Sequence, residues 1–214
     1  MKTKTTFIAM LFALSLITTT PSASQNYSPR TLEEAINNPE IKDSKLKSDI
    51  VDQQNHIAKS IYENNHNLIV SPTRNEEVIL VRIPADQLFA PNETEMMDGA
   101  AERILEKFTP LMSRPDYYRI ALAMYHDDNG GETYSEQITQ QRLQSVVNWF
   151  MANTNNGKYI SYFAMGNKNP IFPMNDSMQH RRLNRRLEIY IIPGEAMIQQ
   201  SKNDKKNKKN KKNK

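Results

Sequence analysis

The spacing of apolar residues changes several times along this chain. Residues 7–17 form an apolar block behind Lys2 and Lys4. Between residues 25 and 66 the apolar positions thin to Leu46, Ile50, Ile57, Ile61 and Tyr62, a stripe that predicts one amphipathic helix. Ahead of it, Thr31-Leu32-Glu33-Glu34 resembles a capping-box helix start. Two β-rich runs at 68–70 and 78–83 are separated by the turn-prone residues 71–75 and predict a hairpin. Residues 93–112 predict a helix, with Met97, Ala101, Ile104, Leu105 and Phe108 as its apolar positions. Residues 118–125 then alternate, with Ile120, Leu122 and Met124 set against Arg119, Ala121 and Ala123, as a strand does. A second helix is expected from Ser135 as N-cap, because Leu143, Val146, Val147 and Phe150 fall on one face. Strands are expected at 159–165 and 187–192. Counted from Val78, the order β-α-β-α-β-β predicts an α+β or α/β sandwich with helices against one sheet.

The ends of the chain need separate treatment. Residues 1–24 read as a secretory signal: Lys2 and Lys4, then about eleven apolar residues, then Ser22-Ala23-Ser24 before Gln25. A membrane anchor is the competing reading, but a span needs about 20 apolar residues. After Pro193 the apolar content falls, and residues 202–214 are a near-regular Lys-Lys-Asn repeat. Its like charges repel, so the tail is expected to be disordered. It is either a solubilising tail or one that docks by charge on anionic surfaces. The tail also distorts the overall charge of +4: its eight Lys and one Asp, with Lys2 and Lys4, leave residues 25–201 at −5. The basic character therefore lies in the tail and does not argue for a specific nucleic-acid-binding fold. With no cysteine in the 214 residues, neither a disulfide nor a lipid attached through cysteine is available.

One pair of residues carries candidate chemistry. Gly130-Gly131 breaks the chain after the 118–125 strand and puts Asp127 on a loop at the strand's end. Arg142 follows fifteen residues later on the second helix, with Ile138 four residues before it on the same face. An ionised Asp only accepts hydrogen bonds and suits an ammonium group, whereas Arg presents a planar fork that matches a carboxylate. Together they can hold a zwitterionic amino acid by both ends. On the residues alone, the pair also reads as a surface Asp and a helix Arg with solvated heads. His126-Asp127-Asp128 contains metal-ligating residue types, but three adjacent residues do not readily converge on one ion, and no cofactor is implied. No Ser or Cys stands in the setting of an activated nucleophile, so an enzyme is not expected.

From Val78 to about residue 192 the chain resembles the OmpA-like peptidoglycan-binding domain, found on outer-membrane protein A, peptidoglycan-associated lipoproteins and flagellar stator proteins. His126-Asp127-Asp128-Asn129-Gly130 takes the place of the family's Thr-Asp-x-x-Gly. Ile138 and Arg142 fall where the family has a leucine and an arginine. Asn175, Ser177 and Arg181, then Asn184-Arg185-Arg186-Leu187-Glu188, track its later polar motif. His126 replaces a threonine, and Gln141-Arg142-Leu143 replaces Arg-Arg-Ala.

The resemblance implies an α+β fold with helices on one mixed sheet. The residues themselves give a signal peptide at 1–24, a helical N-terminal extension at 25–66 and a disordered basic tail at 195–214, and the resemblance makes 67–194 the OmpA-like domain. It also implies non-covalent binding of peptidoglycan, with Asp127 on the ammonium and Arg142 on the carboxylate of the stem peptide's diaminopimelate. Ile138 and Arg185 are further pocket residues, and Arg186, on the opposite face of a strand, is structural and set near Glu188. The implied place is the periplasm, at the cell wall or outer membrane. The alternative is a scaffold component of an envelope secretion or motility complex with weakened or lost wall binding, docked through the N-terminal helix.

Overall fold

Two strands, β2 (Val78–Pro84) and β5 (Arg186–Pro193), are buried along nearly their whole length, because each is covered on both faces and flanked on both edges. The computed structural model describes residues 29–37, 41, 43–63, 68–155 and 159–212, with side chains of the last helix described to residue 207. The expected signal peptide lies outside the described residues. The other strands are β1 (Ile69–Thr73), β3 (Tyr118–Tyr125) and β4 (Ser161–Gly166), and the sheet order is β1-β2-β5-β3-β4. All neighbours are antiparallel except β3 and β4, so the sheet is mixed. The β1–β2 hairpin is the one expected, and Pro72 sits in an edge strand, where its missing N–H is tolerated.

Alternation sorts the strand residues between two layers. On one face Ile79, Val81, Ile83, Ile120, Leu122, Met124, Leu187, Ile189 and Ile191 form the main core. Helix α5 (Gly131–Asn153) packs there through Leu143, Val146, Val147 and Phe150. Leu105 and Phe108 join them from α3 (Ala100–Leu105) and the 3-10 turn that follows it. On the other face Val78, Leu80, Ala121, Ala123, Tyr125, Tyr190 and Ile192 meet Ala35 and Ile36 of α1 (Leu32–Ile36).

Several elements differ from expectation. The N-terminal segment forms two helices, α1 and α2 (Ser44–Glu63). Thr31 caps α1 as its sequence suggested, accepting from Glu34 N at 3.1 Å. The 93–112 helix is broken into α3, a 3-10 turn and α4 (Thr109–Met112), because residues 89–97 close a loop through a bridge between Phe89 and Met96. Helix α5 starts at Gly131, and Ser135 is buried within it. A short helix, α6 (Met178–Asn184), separates β4 from β5.

The expectation of a disordered tail is corrected. Residues Glu195–Lys212 form helix α7. Its first turns place Met197 and Ile198 against Leu46 and Ile50 of α2, and this packing nucleates a helix that Lys side chains then tolerate well. Gly194 anchors the start, donating to Tyr117 O at 2.8 Å, and Lys205 pairs with Asp43.

Candidate functional site

The loop after β3 is shaped by two glycines. Gly130 and Gly131 have φ of 92° and 81°, conformations that glycine adopts without steric penalty. They turn the chain sharply into α5 and hold Asp127 at the C-terminal end of β3. Ser135 fixes the turn from within the helix, its Oγ lying 3.1 Å from Asp127 O and 2.7 Å from Gly131 O. Asp127 is only 1% exposed. Asn129 N donates to its Oδ1 at 3.3 Å, while its Oδ2 has no hydrogen-bond partner. Arg185, at the junction of α6 and β5, brings Nη1 to 3.4 Å from that Oδ2, close enough for ion pairing but not in hydrogen-bond geometry.

Arg142 lies three turns into α5 and is almost fully buried. Its guanidinium sits over the Phe89 ring, 5.0 Å from the centroid, and Nε donates to Glu93 O at 2.8 Å. Ser145, one turn on, donates to Thr94 O at 2.8 Å, so the 89–97 loop is tied to this side of the helix. Among the described residues no hydrogen bond engages the two terminal nitrogens of Arg142. No direct ion pair joins it to Asp127; the two charges act on each other through space. Burial lowers the Arg142 pKa, and the neighbouring Arg185 charge adds to that, while Tyr134 and Asp127 oppose it. Ile138 is buried on the same helix, between Ser135 and Arg142.

His126 completes the cluster. Its backbone N donates to Gly166 O at 2.7 Å, and its Nδ1 lies 2.9 Å from Asp127 O and 3.1 Å from Asp127 Oδ1. Burial pushes the imidazole below its ordinary pKa; Asp127 opposes this, and the Arg142 and Arg185 charges reinforce it. A second loop closes over the first. Asn175 donates its side-chain amide to Asp128, and its carbonyl accepts from Arg181 Nε at 3.0 Å. Asn184 clips this loop by two hydrogen bonds to Phe172, at 2.8 and 3.0 Å.

The structure therefore places Asp127, Arg142 and Arg185 in one electrostatic neighbourhood, with Ile138 buried one turn before Arg142. Sequence reasoning missed the Phe89 ring and the Glu93 carbonyl behind Arg142, since neither contact has a local signal. It read His126 as a metal candidate and as a replacement for the family's threonine, and missed its contact with Asp127. Among the described residues no group of three His, Cys, Asp or Glu is placed to hold a metal. Arg186 turns to the other face, as expected, where its Nε meets Glu188 Oε1 at 2.9 Å. A surface depression of about 470 Å³ lined by Gln87, Met97, Ala100, Ile104 and Arg182 shares no residue with the Asp127 cluster.

This geometry lies within a recognisable stretch of sequence, for the OmpA family model matches residues 88–185, from the Phe89 loop to Arg185. The chain carries an OmpA-family domain. The OmpA-family domain is α+β, with helices packed on a five-stranded mixed sheet. Its fold is similar to that of a putative MotB-like protein from Desulfovibrio vulgaris, with a TM-score of 0.59 and 22% identity over 69% of this chain and 99% of that one. It is similar to the cell wall anchor of the T6SS from Pseudomonas aeruginosa, with a TM-score of 0.54 and 19% identity over 64% of this chain and 94% of that one. The periplasmic domain of Helicobacter pylori MotB gives a TM-score of 0.51 and 20% identity over 62% of this chain and 83% of that one. At these identities the likeness is one of fold. No curated protein matches the chain.

Proposed function

We propose that this OmpA-family domain binds peptidoglycan non-covalently and anchors an exported protein, or the envelope complex it belongs to, at the cell wall. Asp127 takes the ammonium and Arg142 the carboxylate of the stem peptide's diaminopimelate, with Ile138 and Arg185 lining the pocket. The protein acts as a binding module, not a catalyst, and works in the periplasm after its signal is removed. The family match and the wall-anchor and periplasmic domains among its fold neighbours support this reading.

The observation that carries it is the Asp127 carboxylate: buried, with Oδ2 lacking a hydrogen bond, and within electrostatic reach of the Arg142 guanidinium, whose outer nitrogens make no hydrogen bond among the described residues. A buried ionised oxygen without a hydrogen bond is costly, and a ligand ammonium would satisfy it. The Arg142 fork would then meet the carboxylate on the same carbon.

Co-sedimentation with purified peptidoglycan tests the assignment. Asp127→Ala and Arg142→Ala are each expected to weaken binding by about 2–5 kcal/mol, as truncating one partner of a buried charge pair does. Equal sedimentation of wild type and both variants would overturn it. The alternative, a scaffold that has lost wall binding, predicts that none of the three sediments. Competition by free meso-diaminopimelate but not by lysine would establish the ligand.

A further inference from the structure

We propose that His126 is a positioning residue of this ligand site: its neutral ring holds the Asp127 carboxylate, and a proton on the ring weakens capture of the ligand's ammonium. The inference rests on the reading of Asp127 and Arg142 given above.

The hydrogen-bond geometry fixes the tautomer. Nδ1 lies within 3.1 Å of two oxygens of Asp127, the backbone carbonyl and Oδ1, and both are acceptors. In the neutral ring Nδ1 therefore carries the hydrogen and Nε2 is bare. The ring is held in place. It is buried, its own backbone N is bonded to Gly166 O, and it meets Tyr134 edge-on at 5.6 Å between centroids. It cannot swing away without opening the loop that carries Asp127.

The surrounding charges set the sign. Asp127 faces the ring from its own loop. From α5 come the Arg142 guanidinium and the Tyr134 phenol, from the α6–β5 junction comes Arg185, and β4 offers only the Gly166 backbone. Arg185 already pairs with the carboxylate, and the Arg142 charge acts on it through space. Burial keeps the imidazole below its ordinary value, so the ring is neutral near pH 7. A proton added to it makes a third cation beside Asp127 and cancels the field that draws the ammonium. Ligand and proton thus compete for the same carboxylate, and by reciprocity a bound ligand makes His126 harder to protonate.

The test measures binding of a soluble stem peptide containing meso-diaminopimelate to the full chain at pH 7.5 and pH 5.5. Wild type is expected to bind more weakly at the lower pH, by severalfold and less than tenfold, because burial holds the ring below its ordinary value. His126→Asn keeps an amide donor toward Asp127 but cannot titrate, and is expected to bind equally at both. His180→Gln, which removes the imidazole paired with Asp176, is expected to keep the wild-type profile. A flat wild-type profile, or a slope unchanged in His126→Asn, overturns the role of His126 and leaves the Asp127–Arg142 site standing. No binding by wild type at pH 7.5 overturns that site, and the inference with it. An NMR titration of the His126 ring in wild type avoids reliance on a variant that folds. Its midpoint is expected to fall when the peptide is added, and an unmoved midpoint counts against the proposal.

Discussion

Glu188 and its neighbours show what one residue can demand of a fold. Its carboxylate is buried between Arg82 and Arg186, with Nε atoms 2.9 Å away on both sides, and it accepts from Tyr190 OH at 2.5 Å. Burial alone would raise its pKa, but the Arg186 charge and the hydrogen bonds from Tyr190, Arg186 and Arg82 outweigh that and lower it. Tyr125, beneath the Arg186 guanidinium, and Tyr190 are both pushed up, chiefly by burial, and stay protonated. Because the folded carboxylate gives up its proton more readily than the unfolded one, its contribution to stability is present above the unfolded value of about 4.3 and is lost as pH falls through the folded value. Glu188→Gln is expected to lose about 3–5 kcal/mol at pH 7, since two guanidiniums lose their countercharge, and to show a shallower decline of stability in acid. Urea unfolding between pH 3 and pH 7 checks both. The neighbouring arginines divide by strand parity, Arg185 toward Asp127 and Arg186 toward Glu188, and that division was legible from the sequence. The setting of Arg142 was not, because Phe89 and the Glu93 carbonyl approach it from about 50 residues away in sequence.

Elements were legible where one period ran without interruption. The 118–125 strand matches its expected bounds, since strict alternation faces two packed layers. The Leu143–Phe150 stripe placed α5 on the sheet, yet its cap was set five residues late, at Ser135 in place of Gly130. Ser135 has the chemistry of a cap, but the two left-handed glycines make the turn and Ser135 bonds back to it from inside the helix. Helix α6 is seven residues long and mostly polar, too short to show a face. Helix α7 was hidden because its anchoring contacts, Met197 and Ile198 on α2, are non-local. The joint between β5 and α7 depends on Gly194: a Cβ there would lie 2.3 Å from Asp116 O and 2.7 Å from Tyr117 C. Gly194→Ala is therefore expected to destabilise the protein by roughly 1–3 kcal/mol, the usual range for overpacking. Limited proteolysis is expected to cut within residues 195–212 sooner than in wild type, and thermal unfolding measures the loss directly.

For the molecule as a whole, the N-terminal segment belongs to the packed body. Helix α1 covers one face of the sheet, and Ile57 and Ile61 of α2 reach the main core. Two truncations separate packing from charge at the other end. Removing residues 202–214 takes away the +7 of the Lys repeat but leaves Met197, Ile198 and Ser201 in place, so stability is expected to change by no more than about 0.5 kcal/mol, as for surface changes. Removing residues 195–214 uncovers Leu46 and Ile50 and is expected to cost about 3–6 kcal/mol, from two buried apolar side chains at about 1.5–3 kcal/mol each. Chemical denaturation of the two shortened chains beside the full one distinguishes them. The fold class and the Asp127–Arg142 neighbourhood were within reach of the sequence because each rests on short-range spacing. The clasp between the first and last long helices was not.

That clasp has a geometric corollary. Gln53 meets Ser201, and Asp43 meets Lys205, so α2 and α7 run side by side in opposite directions. The start of α2, next to Asp43, therefore lies beside Lys205 of α7. Cargo fused downstream of α7 would hang beside the start of α2 and compete with it for room.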